Sequence, residues 1–361
     1  NYPFRNPRFP GNPDTMQADS ITLLEFLEEA GATVRAYDIG RRIGALGRKQ
    51  FLAFENADAP YPLPMQRKAW FALVQLPAAT PSDPVIWFLR LDLDEQGLLV
   101  QAERDYLLNR LFESAQAKTQ GADPQAFLQD NPYAFTPRED RRALFHALLS
   151  KDLGLSPSRF YEHALAYFGG TPGWDQWSFV GYQGIADVAC RHDDEPLTTA
   201  IPHLPQEPLV ALCHCLESRP LSARLTEALV RRLQLALEQQ PPDIPLLAAL
   251  IRGLSTAGGT GASNAIPIRS ILRHPAGNHI EILAAISGRA WETLDDRALL
   301  DTYLQRLAEN DHGQAAFEHC IADLLSLPSL ADKVRRALRS PGQAATVRNS
   351  FARMKPGTDA S

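Results

Sequence analysis

Beyond about residue 136, apolar residues fall at helical spacing in one segment after another, between short connectors rich in Pro, Gly, Asp and Ser. Three of these segments repeat one pattern. Pro208-Leu209-Val210-Ala211-Leu212, Pro245-Leu246-Leu247-Ala248-Ala249-Leu250 and Ile282-Leu283-Ala284-Ala285-Ile286 each open an apolar helical stretch. Their spacing of roughly 36 residues marks stacked helical hairpins, in which each unit buries its apolar face only against its neighbours. The pattern predicts helices near 176–190, 207–217, 222–239, 245–255, 265–273, 279–288, 296–308, 313–326 and 329–339. Two more precede them. Thr136-Pro137-Arg138-Glu139 reads as a start, with a cap, Pro at the first position and Glu three residues after the cap. Ser156-Pro157 repeats that signal, and Gly169-Gly170 ends its helix.

Residues 16–117 carry a different pattern. Thr22 and Glu25 have capping-box spacing ahead of Leu23, Leu24, Leu27 and Ala30, and Gly31 supplies a helix stop. Thr33–Tyr37 alternates like a short strand, and 48–56 suits a second helix. Trp70–Leu76 and Val85–Leu93 are rich in aromatic and β-branched residues around a Pro-rich turn, which predicts an antiparallel hairpin. In its second strand Val85, Trp87, Leu89 and Leu91 share one face. A helix over 98–117 is expected to present Leu99, Ala102, Tyr106, Leu108, Leu111 and Phe112. The fold expected is therefore an α+β N-terminal module, a small antiparallel sheet with helices, followed by an all-α helical-repeat array of HEAT-like packing; the whole is predominantly α. The divisions are 1–15 as an extension, 16–117 as the α+β module, 118–135 as a linker, 136–340 as the helical-repeat domain and 341–361 as a basic flexible tail.

Composition narrows the function classes. The 361 residues have a formal net charge of −6, which argues against a constitutive nucleic-acid binder. Locally, Lys333, Arg335, Arg336, Arg339, Arg348, Arg353 and Lys355 gather near the C-terminus, either as a solvated helix face or as a weak phosphate-binding patch. Four cysteines, Cys190, Cys213, Cys215 and Cys320, are too few for a secreted disulfide scaffold. No apolar run is long enough for a membrane span, and residues 1–15 lack the apolar core of a secretory signal, so a cytoplasmic location is expected.

Few residues suggest chemistry. Cys213-His214-Cys215 looks metal-binding, but residues two apart on a helix point away from each other, and Cys213 falls in register with Leu209, Leu212 and Leu216. Cys320 lies on a similar face with Phe317, Ile321 and Leu324. His312 and His319 are two turns apart, too far for one zinc. His192-Asp193-Asp194-Glu195 lacks the spacing of a calcium loop, and Gly258-Gly259-Thr260-Gly261 lacks the Lys-Ser/Thr of a phosphate loop. No catalytic residue, metal site or cofactor is assigned. The aromatic and arginine groupings remain. Trp174 and Trp177 share a face if their segment is helical, as a wedge of core or as a partner-binding site. Arg289 and Trp291 end a repeat helix and either pack within the array or face a groove. Arg41 and Arg42 follow a Gly turn, where they are solvated loop charges or meet a phosphate or carboxylate.

The run Leu24–Gly31 with Tyr37-Asp38-Ile39-Gly40-Arg41-Arg42-Ile43, together with Ile86–Leu89, Leu93–Leu99, Gly184-Ile185-Ala186-Asp187 and Ser287-Gly288-Arg289-Ala290-Trp291-Glu292, resembles the gammaproteobacterial domain-of-unknown-function family 3549 over about 20–340. The resemblance implies relatives and a cytoplasmic bacterial setting; it does not imply an activity. The function expected is that of a non-enzymatic adaptor that binds a protein partner through its helical array, with Trp174, Trp177, Arg289, Trp291, Arg41 and Arg42 as contact candidates. The alternatives are an RNA- or nucleotide-associated accessory factor using Arg41, Arg42 and the basic C-terminal helix with Arg335, Arg336 and Arg339, and an enzyme whose site lies in the N-terminal module.

Overall fold

A computed structural model of the chain describes residues 21–29, 32–77, 84–118, 131–191, 194–257 and 265–354. They fall into two compact units, one formed by Asn1–Asp38, Ala45–Tyr61 and Lys68–Thr136, the other by Ile39–Gly44, Pro62–Arg67 and Pro137–Ser361. The extension expected at 1–15, the glycine stop at Gly31 and the glycine run at 258–261 lie outside the described residues.

The first unit holds a four-stranded sheet in the order β2-β1-β3-β4, from β1 (Ala32–Asp38), β2 (Gly44–Leu46), β3 (Lys68–Pro77) and β4 (Val85–Asp92). β3 pairs antiparallel with both β1 and β4, with Ala36 opposite Leu73 and Leu73 opposite Trp87. Alternation along β4 buries Trp87, Leu89 and Leu91, as the sequence pattern requires. Helix α1 (Leu23–Glu29) opens with the reciprocal capping box: Thr22 N donates to Glu25, and Glu25 N donates to Thr22 Oγ1 at 3.1 Å. A second carboxylate, on Glu55 at the end of α2 (Arg48–Glu55), takes the amides of Leu23 and Leu24 at 2.8 and 3.2 Å. Phe51 and Phe54 of α2 pack on Phe71. Helix α3 (Gln101–Lys118) buries Arg104, Leu107, Leu108 and Leu111, while Ala102 and Tyr106, expected on the inner face, are exposed. Residues 131–135, expected as linker, run beside β4: Arg90 N donates to Tyr133 O at 2.8 Å and Phe135 N to Phe88 O at 3.1 Å.

In the second unit the helices are α4 (Glu139–Asp152), α5 (Tyr161–Phe168), α6 (Tyr182–Arg191), α7 (Asp194–Ala200), α8 (Gln206–Leu216), α9 (Ala223–Leu237), α10 (Ile244–Leu254), α11 (Ala265–Arg273), α12 (Ile280–Arg289), α13 (Arg297–Ala308), α14 (Gln314–Leu325), α15 (Ala331–Leu338) and α16 (Ala345–Ala352). They alternate between two rows. One row stacks α4, α6, α8, α10, α12 and α14 in succession; the other stacks α5, α7, α9, α11 and α13, with α15 and α16 against α13. The three repeated segments open α8, α10 and α12, so the sequence period is one hairpin and returns the chain to the same row. Each inner helix of that row meets a neighbour on either side. Hence Cys213 and Cys215, on opposite sides of α8, are both buried. Gly253 of α10 lies so close to α8 that a Cβ there would stand 2.9 Å from Cys213 Sγ.

Several boundaries differ from the sequence reading, and α7 has no counterpart in it. Helix α4 begins after Arg138 without a side-chain cap, so Thr136 does not act as one. The helix expected over 176–190 is split into a 3-10 turn, Trp174–Phe179, and α6. The stretch expected as a flexible tail from 341 contains α16, whose Val347 and Ser350 are buried.

Candidate functional site

Four of the six expected contact residues converge inside the helical unit. Glu217, just past the last residue of α8, is fully buried. Arg141 of α4 pairs with its Oε1; Arg252 Nε of α10 donates to Oε2 at 2.6 Å, and Arg289 Nε of α12 stands 3.4 Å from the same oxygen. Burial alone would push the Glu217 carboxyl up, but Arg289, Arg141 and Arg252 outweigh it and hold the group down at about 2. Burial pulls Arg289 down to about 9, which leaves it charged at neutral pH.

Ile39–Gly44 threads into this cluster. Arg141 donates to Ile39 O and Gly40 O, and Arg289 donates to Gly40 O and Arg41 O at 2.9 and 2.8 Å. Arg41 is buried outright, with its guanidinium on Pro64 O at 2.6 Å, Ser287 O at 3.0 Å and the Asp323 carboxylate at 2.9 Å. Arg42 donates to Glu217 O at 2.6 Å and Ser255 Oγ at 2.9 Å, pairs with Glu292 at 3.2 Å, and lies 4.4 Å above the ring of Trp291. Trp291 is 3% exposed.

Ile39–Arg42 of the first motif and Ser287–Glu292 are thus halves of one polar knot. Arg41 and Arg42, expected as solvated charge or as contacts to a phosphate or carboxylate, meet carbonyls and carboxylates of the array, and Arg289 and Trp291, expected either within the array or facing a groove, pack within it. The reason is satisfiability: guanidiniums are the side chains that can serve several carbonyls of an extended segment at once. Sequence reasoning missed Glu217, Arg141 and Arg252. An acid directly after the apolar run of α8 was the available signal.

The two remaining candidates part company. Trp174 stacks on His203, with ring centroids 5.6 Å apart, and its carbonyl accepts from Tyr167 Oη at 2.9 Å. Gln176, with φ −88 and ψ 26, breaks the helical path between the two tryptophans. Trp177 therefore faces elsewhere. It lines a groove of about 540 Å³ with Val180, Tyr182, Pro208, Val210 and Pro245, while Arg138, Asp140, Glu207 and His214 supply its polar positions. His214 is held down at about 4, by burial first and Arg252 second, so it is neutral at pH 7. Phe179, next to Val180, is 72% exposed. Val180 and Tyr182 were not singled out in sequence, since isolated apolar residues near helix starts read as ordinary core, and Val210 entered only as part of the repeated apolar pattern.

The C-terminal arginines lie on and just after α15. Arg335 pairs with Asp332 at 3.1 Å, whereas Arg336 and Arg339 are exposed. Among the described residues no three His, Cys, Asp or Glu side chains are grouped to hold a metal ion, and no helix is long and apolar enough to cross a membrane.

A small α+β unit and a two-row helical array with a buried arginine knot define the class: a helical-array protein with an N-terminal sheet module. Within that class, the chain belongs to the family described as Protein of unknown function (DUF3549), which matches residues 19–355. No curated protein and no solved structure matches it.

Proposed function

We propose that this protein is a non-enzymatic interaction protein that holds a protein partner in the Trp177 groove of its helical array. The observation that carries the reading is an open apolar groove with a tryptophan in its wall and a largely exposed phenylalanine beside it. A half-exposed Trp in a concave apolar surface has the character of an interface anchor. The two-row stacking of HEAT-like kind supports it, because such arrays present continuous surfaces to macromolecules. The polar knot supports it differently: its charges are engaged with one another and with main-chain carbonyls, which leaves binding to the groove. All four cysteines are free and buried, which fits a reducing, cytoplasmic setting in a bacterium.

The test is affinity purification from native lysate with the wild type and with Val210→Arg. Val210 is half-buried in the groove wall, so the arginine fills the groove without entering the core. A bound protein should fall by about tenfold or more in the variant, as expected for blocking an anchor pocket. Identical capture by both proteins would remove the groove from consideration.

A further inference from the structure

A second groove lies in the other row, between α7 and α9, with a volume of about 430 Å³. Arg224, Arg231 and Arg232 line it with a single acid, Glu227, and its apolar positions are Pro202, Ala228 and Leu235. This is a locally cationic surface on a chain whose net charge is −6.

Two features point to an absent acceptor. Arg232 donates through Nη2 to Leu204 O at 3.2 Å, but its Nε is buried with no hydrogen-bond partner. A buried guanidinium N–H without an acceptor is costly, and an anion in the groove would offset the charge that this guanidinium carries. The outer arginines are held only by exposed pairs, Arg231 with Glu227 at 2.6 Å and Arg224 with Glu195 at 3.8 Å. Such pairs contribute little and exchange readily for a better-placed acid. Beside them Leu235 is 56% exposed, so the groove joins cationic and apolar contact.

We infer that this groove docks an acidic segment of a partner protein that also carries leucine-type side chains, its carboxylates meeting Arg224, Arg231 and Arg232 and its apolar residues meeting Leu235. Nucleic acid fits less well. None of the lining residues is aromatic, so no base has a stacking platform, and Glu227 stands among the arginines. The inference concerns a different row of helices from the Trp177 groove and does not depend on it.

The test uses the full chain and a fluorescein-labelled synthetic peptide of repeating Leu-Glu-Glu-Leu units, followed by anisotropy at low and at physiological salt. Wild type should bind with an affinity that falls as salt rises. The pair Arg224→Glu with Arg231→Glu, both at exposed positions, should weaken binding by about tenfold or more with an unchanged thermal melt. Leu235→Ala should give a smaller loss that persists at high salt. Unchanged binding by the double variant would overturn the inference. So would loss of binding in Arg336→Glu with Arg339→Glu, which would move the site to α15. Displacement of the peptide by polyuridine at lower concentration than by unlabelled peptide would reassign the groove to RNA.

Discussion

The polar knot around Glu217 and the groove around Trp177 draw on the same residue types and put them to opposite use. In the knot, Arg41, Arg42, Arg289 and Trp291 are largely enclosed, and their contacts are with carbonyls, carboxylates and one another. In the groove, Trp177 stands in an open wall beside an exposed Phe179. Tryptophan and arginine are the commonest anchors of interfaces. They are also the side chains best able to fill and satisfy an irregular interior, through large area and many donors. The comparison teaches that composition signals a demanding environment without saying on which side of the surface it lies.

The largest expected effect falls on Glu217. It is the one acid shared by Arg141, Arg252 and Arg289, so Glu217→Gln keeps its shape but leaves buried guanidiniums uncompensated. We expect a loss of about 3–5 kcal/mol in denaturant unfolding, the usual cost of breaking a buried ion pair from one side. The pH dependence follows from the same arrangement. The carboxyl is held at about 2, below its unfolded value of about 4.3. Its contribution is thus fully present above the unfolded value and is lost as pH falls toward about 2. Wild type should lose stability over that acid range more steeply than Glu217→Gln. Parallel acid profiles would mean that the arginines do not depend on this carboxylate.

Legibility in the sequence divides along the same line. The helical array was readable because its signal is local and repeated: Leu209, Leu246 and Leu283 each lie at helical spacing from their neighbours, and the period returns the chain to one row. The capping box of Thr22 and Glu25 was readable for the same reason, since both partners lie within one turn. The knot was not. Arg41 and Ser287 are 246 residues apart, and no periodicity links them. Strand β2 escaped notice because Gly44–Leu46 is three residues long and has no alternation to show. The groove escaped because its wall comes from separate stretches of chain, around 138–140, 177–185 and 206–214 and at Pro245, which no local pattern links.

A smaller effect is expected from Arg42→Lys. Lysine keeps the charge but loses the planar fork that reaches Glu217 O, Ser255 Oγ and Glu292 together, and it loses the flat face over Trp291. The cost should be about 1–2 kcal/mol, the sum of one charge-assisted hydrogen bond and part of a cation–π contact. A melt unchanged from wild type would show that positive charge alone suffices, and the knot would then be an electrostatic cluster without geometric demands.

The smallest expected effect is the most discriminating. Trp177→Ala removes the largest side chain of the groove wall, and in a core position that change costs about 3–5 kcal/mol. Trp177 is half-exposed, its 3-10 segment has no buried residue, and the groove in front of it is open. Part of the ring faces water, and its truncation widens an open groove without leaving a sealed cavity. The loss in unfolding free energy should stay well below that core cost, at about 1 kcal/mol or less. Capture of a partner should fall nonetheless, because the ring would then contribute to binding and little to folding. If instead the variant is destabilised as a core truncation would be, Trp177 belongs to the interior like Trp291, and the two regions differ in degree alone.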